Sequence, residues 1–180
     1  PYTSYIEDDV MLRAVKAIYA CPSSVERMSP TMHGLVETSV NMAVVRTKDG
    51  HLTVWSLIRS SVNSAKEELA QKMRCLFEIA GAKFETFGAY PGWTPVPTAS
   101  IIGTLKDVYH KLFGKDMKVM AIHAGLECAL LGAKYPNWDM VSLGPTLLHP
   151  HSPDERVKID TVDKCWKFLV AALEAMPEKK

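Results

Sequence analysis

Apolar positions in the first half of the chain change period from helix to strand and back. Val10, Leu12, Val15, Ile18 and Tyr19 approximate one face of a helix running from about Glu7 to Tyr19, which Cys21-Pro22-Ser23-Ser24 ends. Met28-Ser29-Pro30 reads as a loop, and the β-branched and apolar mixture from Leu35 to Arg46 predicts a strand. Lys48-Asp49-Gly50 predicts a hairpin, because Asp-Gly supplies the positive φ that a tight turn needs, and Leu52 to Arg59 returns as its second strand. Ser64 to Ala80 predicts a helix, with Leu69, Met73, Leu76 and Phe77 on one face and Gly81 as its stop. Lys83 to Phe87 predicts a third strand. Helix, strand, strand, helix, strand is the order of an open-faced antiparallel sandwich, a sheet covered by helices on one side.

Tyr90-Pro91-Gly92-Trp93-Thr94-Pro95-Val96-Pro97 breaks this pattern, since closely spaced prolines fit neither a helix interior nor a central strand. A domain boundary is expected there, dividing residues 1–91 from 92–180. Beyond it, Ala99 to Phe113 predicts a helix stopped by Gly114. Met117 to His123 predicts a short strand buried on both faces, Leu126 to Leu131 begins a helix, Met140 to Leu143 predicts another buried strand, and Val162 to Met176 a last amphipathic helix. Strands alternating with helices predict an α/β layer with a largely parallel sheet, so the chain as a whole is expected to be α/β (α+β overall).

Composition narrows the classes. The chain has 180 residues, 47% hydrophobic and 23% charged, which is globular rather than disordered. A net charge of +1 gives no bulk field for nucleic acid or an anionic membrane, and neither is expected as a partner. No apolar run reaches the roughly 18 residues of a membrane span. Ile6-Glu7-Asp8-Asp9 places acid where a secretory signal needs basic and then apolar residues. Cys21, Cys75, Cys128 and Cys165 have neither metal nor redox spacing, so buried free thiols in a reducing cytoplasm are expected. Pro1 at the head of a helix-like run suggests a chain cut from something longer.

Three stretches carry candidate chemistry. Gly144 to Glu155 follows the last predicted strand, where open α/β sheets bind ligands. It holds His149, His151, Asp154 and Glu155 among three prolines. Imidazole is neutral enough at pH 7 to ligate zinc, and either acid could orient it or cap a helix. A solvated surface loop explains the same residues. His123-Ala124-Gly125-Leu126-Glu127 turns from a predicted strand into a helix; the helix dipole alone accounts for Glu127, but not for His123 and a close-approach glycine beside it. Arg59-Ser60-Ser61 ends the hairpin. Arginine's planar fork suits a carboxylate, although a lone arginine is more often a solvated surface residue. Glu37-Thr38-Ser39-Val40-Asn41 puts small polar residues on the partner strand. No complete catalytic motif is present.

His123 to Cys128, Tyr135-Pro136, Asp139-Met140-Val141-Ser142, Gly144-Pro145 and His151-Ser152-Pro153-Asp154-Glu155, preceded by His33 to Ser39 with Asn41 and by Arg59-Ser60-Ser61, follow one pattern in order and interval. It resembles the C-terminal portion of the aminoacyl-histidine dipeptidases, also called Xaa-His or cytosol non-specific dipeptidases. The resemblance implies a two-zinc α/β catalytic domain with an inserted lid that closes over a dipeptide and takes part in forming a homodimer. Residues 1–91 would be the later part of the lid, and 92–180 the C-terminal segment of the catalytic domain. It singles out His151 over His149 as a zinc ligand and points to Arg59 as the grip on the substrate's carboxylate. Gly125 and Glu127 would line the pocket, while individual roles for His123, Thr38 and Asn41 do not follow.

The same resemblance implies that the first zinc-binding His, the bridging Asp, the Glu pair, a further acidic ligand and the lid His for the oxyanion lie upstream. The chain would then contain no catalytic residue of its own, would not retain the zinc pair and would be inactive alone. Two other readings remain open at this point. One is a non-enzymatic dimerisation or binding module of the same fold. The other is a related deacylase of N-acyl amino acids. Upstream His-x-Asp, Glu-Glu and Gly-His motifs would favour hydrolysis over the module.

Overall fold

The computed structural model describes residues 5–94, 96, 98–121 and 127–177. The fold is mixed α/β, and it divides into two compact units: Pro1–Thr94 with Ala121–Leu130, and Pro95–Met120 with Leu131–Lys180.

The first unit runs α1 (Asp8–Ala20), β1 (Val25–Met28), β2 (Val36–Lys48), β3 (His51–Ser60) and α2 (Asn63–Ile79). The strands form one antiparallel sheet in the order β1-β2-β3. The predicted hairpin turn is present, with Asp49 at φ 50° and Gly50 at φ 75°, both left-handed as the tight turn requires. Along α2 the buried residues Ala65, Leu69 and Met73 repeat every fourth position and form one stripe. That stripe packs with Cys21 and Val40, and Met42, Ile58, Leu76, Phe77 and Phe84 close around it. Burial pushes the Cys21 thiol up. Cys75, by contrast, is exposed. After α2, Gly81 takes φ 82°, and a Cβ there would lie 2.6 Å from Arg13 Nη1. Arg13 uses that gap to donate to the Ala80 carbonyl at 3.2 Å, tying α1 to the end of α2.

One strand differs from expectation. Residues 83–87 form no ladder, and β1 takes the third place instead. Its two charged residues hid it in the sequence, and each is satisfied on α2: Arg27 by Glu68 and Glu26 by Lys72, both at 3.2 Å. Phe84 serves the core from the irregular segment that was expected to be a strand.

The second unit contains α3 (Ser100–Phe113), β4 (Leu147–Leu148), β5 (Arg156–Val157) and α5 (Asp160–Glu174), while α4 (Glu127–Lys134) runs across the division of the chain. Leu105 of α3 meets Phe168 and Ala172 of α5, with Tyr109 edge-on to Phe168 at 5.4 Å. Gly114 ends α3 in the left-handed conformation. The start of α3 is capped from a distance: one Asp139 carboxylate oxygen accepts from Ser100 Oγ at 2.7 Å and from the Ile101 N–H at 2.9 Å. The Ile101 bond, then the Ser100 bond, hold the Asp139 carboxyl below its usual value. The resulting stabilisation is complete above the unfolded aspartate pKa and is lost as pH falls through the lowered one.

The expected largely parallel sheet is not found among the described residues. Residues 117–121 and 140–143 have no ladder partner, and the paired strands here are the short antiparallel β4 and β5. A parallel strand has no hairpin partner and depends on neighbours brought in by crossover connections. Met117 and Val141 still pack on the α3–α5 core, but Met120, read as doubly buried, is 80% exposed.

Candidate functional site

Arg59 is the next-to-last residue of β3 and stands opposite Ser39. Val40 and Ile58, one register step away, face the α2 core, so strand alternation puts Arg59 on the opposite face. It is exposed, and among the described residues no acid forms an ion pair with it.

A directed network of buried polar groups fixes the strand end beneath it. Thr38 is 1% exposed, and Glu37, Ser60 and Ser61 are also buried. Thr38 donates its hydroxyl to Glu37 Oε1 at 3.3 Å. Its 2.9 Å contact with Ser60 is then donated by Ser60, whose oxygen in turn accepts the Val62 N–H at 3.0 Å. Glu37 Oε1 lies 3.6 Å from Arg27 Nη1, and the Glu37 carbonyl accepts the Ser61 N–H at 3.1 Å. Buried polar groups without partners are costly, so this network selects one backbone path for the residues around Arg59.

The same corner holds the Pro-Gly stretch. Asn63 Oδ1 accepts the Gly92 N–H at 2.7 Å, and the Ser61 carbonyl accepts the Thr94 hydroxyl at 3.0 Å. Lys66 donates to the Tyr90 carbonyl and lies 5.7 Å from its ring centroid. A Cβ at Gly92 would sit 2.5 Å from the Ser61 carbonyl oxygen, which is backbone and cannot swing aside. Gly92→Ala is therefore expected to destabilise the protein by about 1–3 kcal/mol, the usual range for overpacking. Urea unfolding of wild type and variant checks this; equal midpoints would mean that the close approach is dispensable. The sequence marked Gly92 only as a breaker, and neither Asn63 nor the Ser61 contact carried a local signal.

In the second unit, the loop between β4 and β5 places His149 at φ 51° and His151 at φ 64°. Non-glycine residues rarely adopt this region, though histidine does so more readily than most, and such outliers concentrate at functional sites. The His151 N–H is held by the Glu155 carboxylate at 2.9 Å. Ser152 accepts twice, from the Asp154 N–H through Oγ at 3.2 Å and from the Glu155 N–H through its carbonyl at 3.0 Å. The base of the loop is closed by the Lys158 N–H on the Thr146 carbonyl and the Thr146 N–H on Thr161 Oγ1, both 2.9 Å. Glu155 thus fixes the backbone of His151 and leaves the exposed imidazole free of it. Neither acid caps a helix, because α5 starts at Asp160.

Glu127 opens α4 and is exposed. Burial, and then the Glu127 charge, push the neighbouring Cys128 thiol up. His123 and Gly125 lie outside the described residues. The structure brings Arg59 together with Ser60 and Ser61, and His151 together with Glu155, each pair within its own unit. Among the described residues no group of three or more His, Cys, Asp or Glu side chains is arranged to hold a metal, and no helix is long and apolar enough to cross a membrane.

No protein-family model matches the chain. It is 41% identical over 165 residues to the cytosol non-specific dipeptidase of Escherichia coli (strain K12), covering 92% of this chain and 34% of that protein. The crystal structure of aminoacylhistidine dipeptidase from Vibrio alginolyticus superposes with a TM-score of 0.83 at 44% identity, over 100% of this chain and 37% of that one. Aminopeptidase PepT from Bacillus cereus ATCC 10987 shares the fold, with a TM-score of 0.71 at 19% identity over 92% of this chain and 44% of its own. In sequence and in fold, the chain is similar along nearly its whole length to a part, about a third, of the cytosol non-specific and aminoacylhistidine dipeptidases.

Proposed function

We propose that the complete protein containing this chain is a zinc-dependent dipeptidase that cleaves Xaa-His and other dipeptides, and that this chain supplies one zinc ligand and the grip on the substrate's carboxylate. The observation that carries this is the match to two dipeptidases along nearly the entire chain. In this reading residues 1–91 are the later part of a lid that also serves a homodimer, and 92–180 complete the catalytic domain. Arg59 holds the terminal carboxylate through a bidentate, charge-assisted pair, Gly125 and Glu127 line the pocket, and the protein works in the cytoplasm.

His151 fits the role of a single ligand. Its imidazole is exposed, and its backbone is fixed by Glu155. One histidine is a poor site, so the remaining ligands and the general base must come from the rest of the protein, and the chain alone is expected to be inactive. When bound, zinc would supply Lewis-acid polarisation of the scissile carbonyl. The chain's own residues would hold and orient the substrate.

The test is hydrolysis of an Xaa-His dipeptide by the complete protein, before and after chelation and again after zinc is restored. Activity is expected to vanish and return. Cleavage indifferent to the chelator, or no cleavage with zinc present, contradicts the proposal.

A further inference from the structure

The face that presents Arg59 carries more than a cation. Residues two apart on a strand share a face and stand about 7 Å apart, so Leu57 and Trp55 follow Arg59 in a row. Their partners on β2 are Ser39 for Arg59, Asn41 for Leu57 and Val44 for Trp55, the last across the bulge between Met42 and Val44. The opposite face is filled by Val40, Met42 and Ile58 against α2. Leu57 is 45% exposed and Trp55 52% exposed. Phe87, 78% exposed, meets Trp55 edge-on with ring centroids 5.9 Å apart. The row therefore runs from an exposed guanidinium to an aliphatic side chain and then to an aromatic pair.

We infer that Leu57, backed by the Trp55–Phe87 pair, seats the side chain of the substrate's C-terminal residue and sets the preference at that position. The inference rests on Arg59 gripping the terminal carboxylate. Charge complementarity selects the occupant: a small carboxylate whose acid is held at Arg59 has its own side chain one residue away. The surface beside the cation offers that side chain apolar contact from Leu57 and Trp55, with Asn41 and Ser39 as polar neighbours on β2. An imidazole, an aromatic ring or a branched aliphatic group gains from this row, and glycine gains nothing. One well-placed apolar contact discriminates by about 10–200-fold.

The readout is the ratio of kcat/KM for Xaa-His and Xaa-Leu to that for Xaa-Gly, measured on the complete protein. Leu57→Ser is expected to lower the ratio at least tenfold (about one such contact). Leu57→Trp, which fills the row, is expected to lower it as well, and keeps the test open if the serine variant folds poorly. An unchanged ratio, with all substrates slowed by a common factor, overturns the inference. Wild-type rates on each dipeptide and its C-terminal amide separate the two levels. If the amides are cleaved as well as the acids, the Arg59 reading has failed. If the acids are preferred but Leu57 leaves the ratio untouched, the seat alone has failed.

Discussion

In the complete protein, His151→Ala is expected to lose at least about 100-fold in activity and one equivalent of bound zinc. Groups that merely hydrogen-bond to a zinc ligand commonly cost about 10–100-fold when removed, so loss of a ligand itself belongs at the upper end or beyond. His149→Ala is expected to lose far less. Both histidines occupy left-handed backbone in the same proline-bounded loop, but the Glu155 carboxylate holds the N–H of His151. Zinc content measured alongside activity decides the matter. Equal zinc in wild type and His151→Ala would remove His151 from the metal site, and a larger loss from His149→Ala would exchange their roles.

Arg59→Ala carries the second large effect. A charge-assisted pair contributes about 1.5–3 kcal/mol, or roughly 10–150-fold in kcat/KM. The loss is expected on the free dipeptide and not on its C-terminal amide, so discrimination between the two collapses. Arg59→Lys keeps the charge but loses the planar fork, and is expected to remain impaired. The Thr38–Ser60 network beneath Arg59 is complete without its side chain, so truncation there removes the fork and leaves the strand end in place. If the variant slows acid and amide by the same factor, Arg59 supports the fold and does not read the substrate.

Periodicity made the regular elements legible. The buried stripe of α2 and the Asp49-Gly50 turn follow from local chemistry that needs no distant partner. Strand β1 was not legible, because half of Val25-Glu26-Arg27-Met28 is charged, and those charges make sense only beside Glu68 and Lys72. The expected parallel sheet failed for a different reason. Apolar runs at 117–121 and 140–143 announce burial but do not provide the neighbours that accomplish it, and the chain spans about a third of the length of the dipeptidases it matches.

The site was legible in a similarly uneven way. Residue chemistry marked the loop from Gly144 to Glu155, yet spacing alone left His149 and His151 equivalent, and only the family resemblance chose between them. The role of Glu155 was hidden, because a carboxylate beside a histidine suggests a bond to the ring, whereas this one accepts from the main chain. Arg59 was visible as a residue type. The buried hydroxyl network behind it was hidden, because it joins Thr38 to Ser60 across the hairpin, 22 residues apart.

The central claim, that this chain reads the free carboxylate of a dipeptide within a peptidase, is tested most directly by a substrate panel on the complete wild-type protein with zinc. An Xaa-His dipeptide, its C-terminal amide and the matching N-acetyl amino acid would be compared by kcat/KM. The account predicts that the dipeptide is cleaved best, with the amide lower by about 10–150-fold through loss of the Arg59 pair and the N-acetyl amino acid far below the dipeptide. Equal cleavage of acid and amide would contradict the carboxylate grip, and preference for the N-acetyl amino acid would make the protein a deacylase.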